Sequence, residues 1–158
     1  MAGTTFEDVI HAVTLRLREA FPDYSIFVED VPQNLDPPAF FVRLLTVGHV
    51  HEGGLWYPDN GRIPQGSRYK RNPIVEVVYF PQSNPGRMEC EQMREQLMWA
   101  LEFVQSSTGA TLGARNMDTN ISNDVLVMTM RYPHFLKTDQ PQQVMEHFNL
   151  NLGGNSDG

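Results

Sequence analysis

Residues 74–80, Ile-Val-Glu-Val-Val-Tyr-Phe, constrain this chain more than any other stretch. β-Branched and aromatic side chains favour a pleated, extended backbone. Pro73 and Pro81 bracket the heptad, so the strand has little freedom to slide or lengthen. Its apolar residues fall on both faces, which is the pattern of a strand covered on both sides. A second segment, Phe40 to Val47 (FFVRLLTV), has the same two-sided character, interrupted by Arg43 and Thr46. One set of faces calls for helices. The other must be covered by a neighbouring subunit, or by a long loop and a carboxy-terminal helix folding over it.

Two helices are available. Phe6, Val9, Ile10, Val13 and Leu17, with Ala20 or Phe21, recur at three- and four-residue steps and form one stripe. Thr4 and Glu7 have the spacing of a capping box, and Pro22 ends the helix. The second helix is expected to open at Asn84-Pro85, an N-cap followed by proline, and to run to about Gln105. Its buried stripe is Cys90, Met93, Leu97, Ala100, Leu101 and Val104. Trp99 and Phe103 lie off the stripe, where they cover a neighbouring strand or face a partner.

The remaining segments are shorter. Tyr24 to Glu29 alternates as a strand, and Val31 to Pro38 is a connector with three prolines. Gly48 to Asn72 holds five glycines and two prolines and reads as a long loop. Thr111 to Thr119 and Val125 to Tyr132 read as a hairpin with its turn at Asn120 to Asp124. A short helix is expected from Gln142 to Leu150, and a disordered tail from Gly153 to Gly158. The expected architecture is therefore one α+β domain over residues 1–152. It has a mostly antiparallel sheet of about five strands, two long helices on one face and a short C-terminal helix.

Composition narrows the function classes. The chain of 158 residues has 12 Lys+Arg against 19 Asp+Glu, a net charge of −7, which disfavours a phosphate backbone as partner. The single cysteine, Cys90, has no partner for a disulfide, and its place on an apolar helix stripe reads as a small buried hydrophobe. The amino terminus lacks the basic start and apolar run of a signal peptide, and no stretch reaches the ~20 apolar residues needed to cross a bilayer. These features point to synthesis in a reducing cytoplasm.

No catalytic constellation emerges. His49-x-His51-Glu52 offers two imidazoles on one face of an extended segment, short of the three or four ligands zinc usually takes. His11, His134 and His147 fall on other elements. The loop glycines do not have phosphate-loop spacing, and the acidic residues read as solvated helix starts and faces. One basic patch stands out in the acidic chain: Arg62, Arg68, Lys70 and Arg71, with Tyr69 among them and Trp56 and Tyr57 nearby. Aromatic and basic residues together suit a single nucleic-acid strand, or salt bridges to another subunit. The net charge favours the second.

Several of these segments, in this order, resemble the tail terminator (tail completion) family of long-tailed phages and prophages. The resemblance rests on Ser67-Arg68-Tyr69-Lys70-Arg71-Asn72, on Tyr79-Phe80-Pro81-Gln82-Ser83, and on the helix near Glu89-Cys90. It also rests on Phe21-Pro22-Asp23-Tyr24, Glu29-Asp30-Val31-Pro32-Gln33, Pro38-Ala39-Phe40-Phe41, Asn116-Met117, Asp124-Val125-Leu126 and Met145-Glu146. It spans roughly Phe6 to Leu150. His49 to Gly66 is longer than the family's usual connection, and Pro73 and Glu76 sit where a more regular strand is the rule.

The resemblance implies a structural virion protein with no cofactor and no bond chemistry. Such subunits form a homo-oligomeric ring, usually a hexamer, at the head-proximal end of the tail. The ring stops tube polymerisation and offers a surface for head docking. Its partners are further copies of itself, the tail tube protein and the head–tail connector protein, with no membrane and no specific nucleic acid, and it assembles in the host cytoplasm. Trp56, Tyr57, Arg62, Arg68, Lys70 and Arg71 are the residues assigned to subunit or tube contact. The competing readings are another head–tail connector or completion protein, a small nucleic-acid-binding domain, and a small enzyme with its site in the 48–72 loop.

Overall fold

The structure, a computed structural model, describes residues 3–52 and 67–138. In chain order its elements begin with α1 (Phe6–Ala20), β1 (Ser25–Val28), β2 (Ala39–Thr46), β3 (His49–His51), β4 (Ser67–Arg71) and β5 (Ile74–Phe80). They continue with α2 (Arg87–Leu101), β6 (Phe103–Gln105), β7 (Thr111–Gly113), β8 (Arg115–Ser122), β9 (Val125–Arg131) and β10 (His134–Thr138). The chain divides into two compact units. One comprises Thr4–Gly48 and Asn72–His134; the other holds, among the described residues, 3, 49–52, 67–71 and 135–138.

In the larger unit a five-stranded sheet runs in the order β1-β2-β5-β9-β8. Its pairs are antiparallel except for β1 with β2, which is parallel. The proline-bracketed heptad is the central strand, hydrogen-bonded on both edges, which is the position its two-sided apolar pattern requires. Phe40 and Val42 of β2, Val75, Val77 and Tyr79 of β5, and Leu126, Met128 and Met130 of β9 share one face. Val9, Val13 and Leu17 of α1 and Cys90, Met93, Leu97 and Leu101 of α2 join them in one buried cluster. Phe40 anchors it, with ring centroids 5.2 Å from Phe21, 5.5 Å from Tyr24 and 5.1 Å from Tyr79. The Tyr132 hydroxyl donates to the Leu101 carbonyl at 2.6 Å, so this buried polar group also caps an open carbonyl at the helix end.

On the opposite sheet face Phe41 and Val78 are also buried, while Arg43 and Glu76, directly opposed across β2 and β5, form a salt bridge of 2.7 Å. Glu76, the one charge in the heptad, is therefore matched by the one charge in β2.

Several boundaries differ from the sequence expectation, each for a local reason. The capping box of α1 is Thr5 with Asp8, at 3.0 and 2.9 Å, and not Thr4 with Glu7. Both pairs have the spacing, but Thr4 is buried. α2 begins at Arg87 rather than at Asn84-Pro85. The backbone N–H groups of Gln82 and Ser83 go to the Glu89 carboxylate at 2.8 and 3.0 Å, and Gly86 takes the N-cap position. A Cβ on Gly86 would lie 2.9 Å from Pro81 Cβ and 3.1 Å from the Ser83 carbonyl, so only glycine fits here.

The same helix stops at Leu101, short of Gln105. Phe103–Gln105 instead pairs antiparallel with Thr111–Gly113 around a turn where Gly109 takes φ +89°. The expected single strand from 111 to 119 is thus two strands in different sheets. The turn before β9 is the two residues Asn123 and Asp124, at φ 53° and 58°, the conformation a tight two-residue hairpin demands. Strands β3 and β4 lie at the two ends of the 48–72 stretch, where the sequence predicts a loop, and β10 forms where it predicts no element. The expected helix at 142–150 and the tail at 153–158 lie outside the described residues. No described helix is long and apolar enough to cross a membrane.

Candidate functional site

The smaller unit carries a three-stranded sheet in the order β10-β4-β3. Antiparallel register pairs His49 with Arg71, Val50 with Lys70 and His51 with Tyr69. Alternation along each strand then sorts the residues onto two faces. One face carries His49, His51, Tyr69 and Arg71, with the Tyr69 ring stacked on His49 at 4.7 Å and tilted against His51 at 5.2 Å. The other carries Val50, Arg68, Lys70, Phe135 and Lys137. There the Arg68 guanidinium lies 3.9 Å over the Phe135 ring centroid, and all five residues are exposed.

This sorting splits the sequence-assigned contact set. Arg68 and Lys70 share a face; Arg71 is on the reverse, where burial lowers its pKa from the usual guanidinium value. Trp56, Tyr57 and Arg62 lie outside the described residues. Phe135 and Lys137 were missed, because no local pattern says that a segment more than sixty residues downstream pairs with β4. His49 and His51 are engaged with an aromatic ring. Among the described residues no group of three or more His, Cys, Asp or Glu is placed to hold a metal ion.

A second surface lies on α2. Met88 and Trp99, eleven residues apart, are each 71 % exposed. With Gln92 and Glu95 they make the outward stripe of the helix, opposite Cys90, Met93 and Leu97. The Cys90 thiol is buried and 3.5 Å from the Asp124 carbonyl, and burial pushes its pKa up, away from the reactive thiolate.

Glu89, at the start of α2, forms the densest polar cluster. Its carboxylate accepts from the Tyr79 hydroxyl, the Ser83 hydroxyl at 2.7 Å, and the backbone N–H groups of Gln82 and Ser83. Burial alone would raise its pKa; the hydrogen bonds, led by that of the Ser83 side chain, outweigh it and hold the value at about 2. On the same account Tyr79, desolvated and bonded to a carboxylate, is pushed above the ordinary phenol range. The cluster ties the end of β5 to the start of α2 and is architectural.

Grooves also mark the surface of the larger unit. One of about 370 Å³ lies over Leu45, Ile74, Asn116, Asp118, Thr129 and Arg131. Another, of about 380 Å³, lies between Leu15, Arg16, Glu19 and Phe103.

Two exposed surfaces thus stand out among the described residues of this α+β fold, the cationic face of the small sheet and the outward stripe of α2. The family model for phage tail terminator proteins matches residues 8–144, and the chain belongs to that family. Among solved structures, the sheath/tube terminator of an extracellular contractile injection system, PVC, in its extended state, shares the fold at a TM-score of 0.55 and 14 % identity. The alignment covers 89 % of this chain but 60 % of that one, so this chain spans less than two thirds of its neighbour's length. A second solved chain aligns over 84 % of this one and 95 % of itself at 15 % identity and a TM-score of 0.40, which carries no argument. No curated protein matches this sequence.

Proposed function

We propose that this chain caps the head-proximal end of a phage tail tube as a homo-oligomeric ring, a hexamer in the virion, which stops tube polymerisation and presents the surface on which the head docks. The observation that carries the reading is the family match over residues 8–144. The concentration of exposed cations on one face of the small sheet supports it, since an otherwise acidic subunit that must dock needs a patch of opposite sign. In this reading Arg68 and Lys70 contact the tube or a neighbouring subunit, Trp56, Tyr57 and Arg62 are further contact residues, and Arg71 holds the reverse face of the sheet. The assembly involves no cofactor and no bond chemistry, and its other partners are the tail tube protein and the head–tail connector protein.

The test is to polymerise the cognate tube protein with and without this chain and to measure tube lengths by negative-stain electron microscopy. Shorter tubes with extra density at a single end are expected. Tubes that elongate unchanged, with the chain left in the supernatant, would remove the capping role.

A further inference from the structure

We infer that the cationic face of the small sheet in one copy seats against the outward stripe of α2 in the next copy, a head-to-tail contact between unlike surfaces. The inference rests on the ring reading above and names the surfaces that would build the ring.

The cationic face is unusual in its own chain. Arg68 and Lys70 stand together on a sheet whose thirteen strand residues include no carboxylate, in a protein with a net charge of −7. Like charges gathered on one face repel one another, and a counter-charged partner relieves that cost. The same face leaves two apolar side chains in solvent, Val50 at 59 % and Phe135 at 51 %. The matching surface must therefore be acidic and apolar at once.

The α2 stripe has that chemistry. Met88 and Trp99 supply apolar ends, Glu95 lies between them, and Glu91 flanks the stripe at its edge. Glu91 also reaches Arg94 at 3.1 Å, but that pair is one turn apart on an exposed helix and holds only weakly. From Met88 to Trp99 the stripe runs ~16 Å along the helix axis, enough to cross three strands that together span ~10 Å. Aromatic and long apolar side chains rimmed by charge are the usual anchors of a protein interface. Because the two surfaces differ, the contact is heterologous, and repetition either closes a ring or runs on as a filament. Neither patch complements itself.

A charge swap tests this in the full chain. One variant carries Arg68→Glu and Lys70→Glu; a second carries Glu91→Lys and Glu95→Lys. All four positions are exposed, and circular dichroism checks that each variant folds. Sedimentation velocity of the parent should show concentration-dependent association that weakens with salt. Each variant alone should lose that association by at least tenfold. An equimolar mixture should regain it, because the reversed sheet face of the first variant meets the reversed helix stripe of the second and their two unaltered surfaces still match, and a chain bearing all four changes should regain it too.

Variants that associate like the parent, a mixture that stays apart, or a parent that is monomeric at hundreds of micromolar would each overturn the inference. A monomeric parent that still caps tubes leaves the capping role standing. The swap pattern seen in a protein that never limits tube length would leave the contact standing and remove the capping role. If the first variant instead keeps its self-association but loses retention on double-stranded DNA, the cationic face serves phosphates and the contact with α2 is wrong.

Discussion

The strands of the five-stranded sheet carry Arg43, Arg115 and Arg131 against Glu76 and Asp118, and no lysine; those of the three-stranded sheet carry Arg68, Lys70, Arg71 and Lys137 against no carboxylate. The first sheet hides one face under two helices, and its central face-to-face charge pair is matched internally. The second keeps three cations in solvent beside exposed Val50 and Phe135. The contrast teaches where stability and recognition reside. Burial specifies the large sheet, so changes there act on folding. Exposed cations mark the small one, so changes at Arg68 and Lys70 should barely act on the fold.

The contrast can be broken most severely at Phe40. Truncation to alanine removes the ring that Phe21, Tyr24 and Tyr79 surround, and should cost ~3–5 kcal/mol in urea unfolding. Gly86→Ala comes next. The added Cβ meets Pro81 and the Ser83 carbonyl, and overpacking of this kind costs ~1–3 kcal/mol. Tyr132→Phe keeps the ring but leaves the Leu101 carbonyl without its donor; a loss of ~1–2 kcal/mol in the same measurement is expected.

A pH titration sharpens the role of Glu89. Its carboxyl is held at about 2 in the folded chain against an ordinary 4.5. A depressed acid pKa contributes stability that is present above pH 4.5 and fades as pH falls from there toward 2. Thermal melts of the parent should therefore drop across that window, and those of Glu89→Gln should drop less. A parallel decline in both proteins would show that other carboxylates dominate.

The smallest effect on folding belongs to the paired change Arg68→Glu and Lys70→Glu, which should leave the unfolding free energy within ~0.5 kcal/mol of the parent. The same change should alter assembly strongly. A large stability loss in this variant would mean that the cationic face is packed and not presented, and the contrast between the sheets would fail.

Much of the larger unit was legible because its signals are local. A strand between two prolines, a helix stripe at three- and four-residue steps, and a cysteine on that stripe each depend on neighbours close in sequence, and each took its expected place. Helix ends were less legible where a competing partner came from elsewhere. Nothing near Asn84 announces that the Glu89 carboxylate takes the backbone donors of Gln82 and Ser83, or that Pro81 leaves room only for a glycine at 86.

The candidate contact surface divides in the same way. The sequence by itself determined the central strand, the two apolar helix stripes, the presence of basic residues among aromatics at 67–72, and the order of segments that resembles the tail terminator family. Only the tertiary structure decided that 67–71, within the expected loop, form a strand, which puts Arg68 and Lys70 on one face and Arg71 on the other. Only there do Phe135 and Lys137 join them, through the pairing of β10 with β4. The physical reason is that a strand's period of two is written locally, whereas the register between strands far apart in sequence is set by which pairing buries most and leaves the fewest backbone groups open.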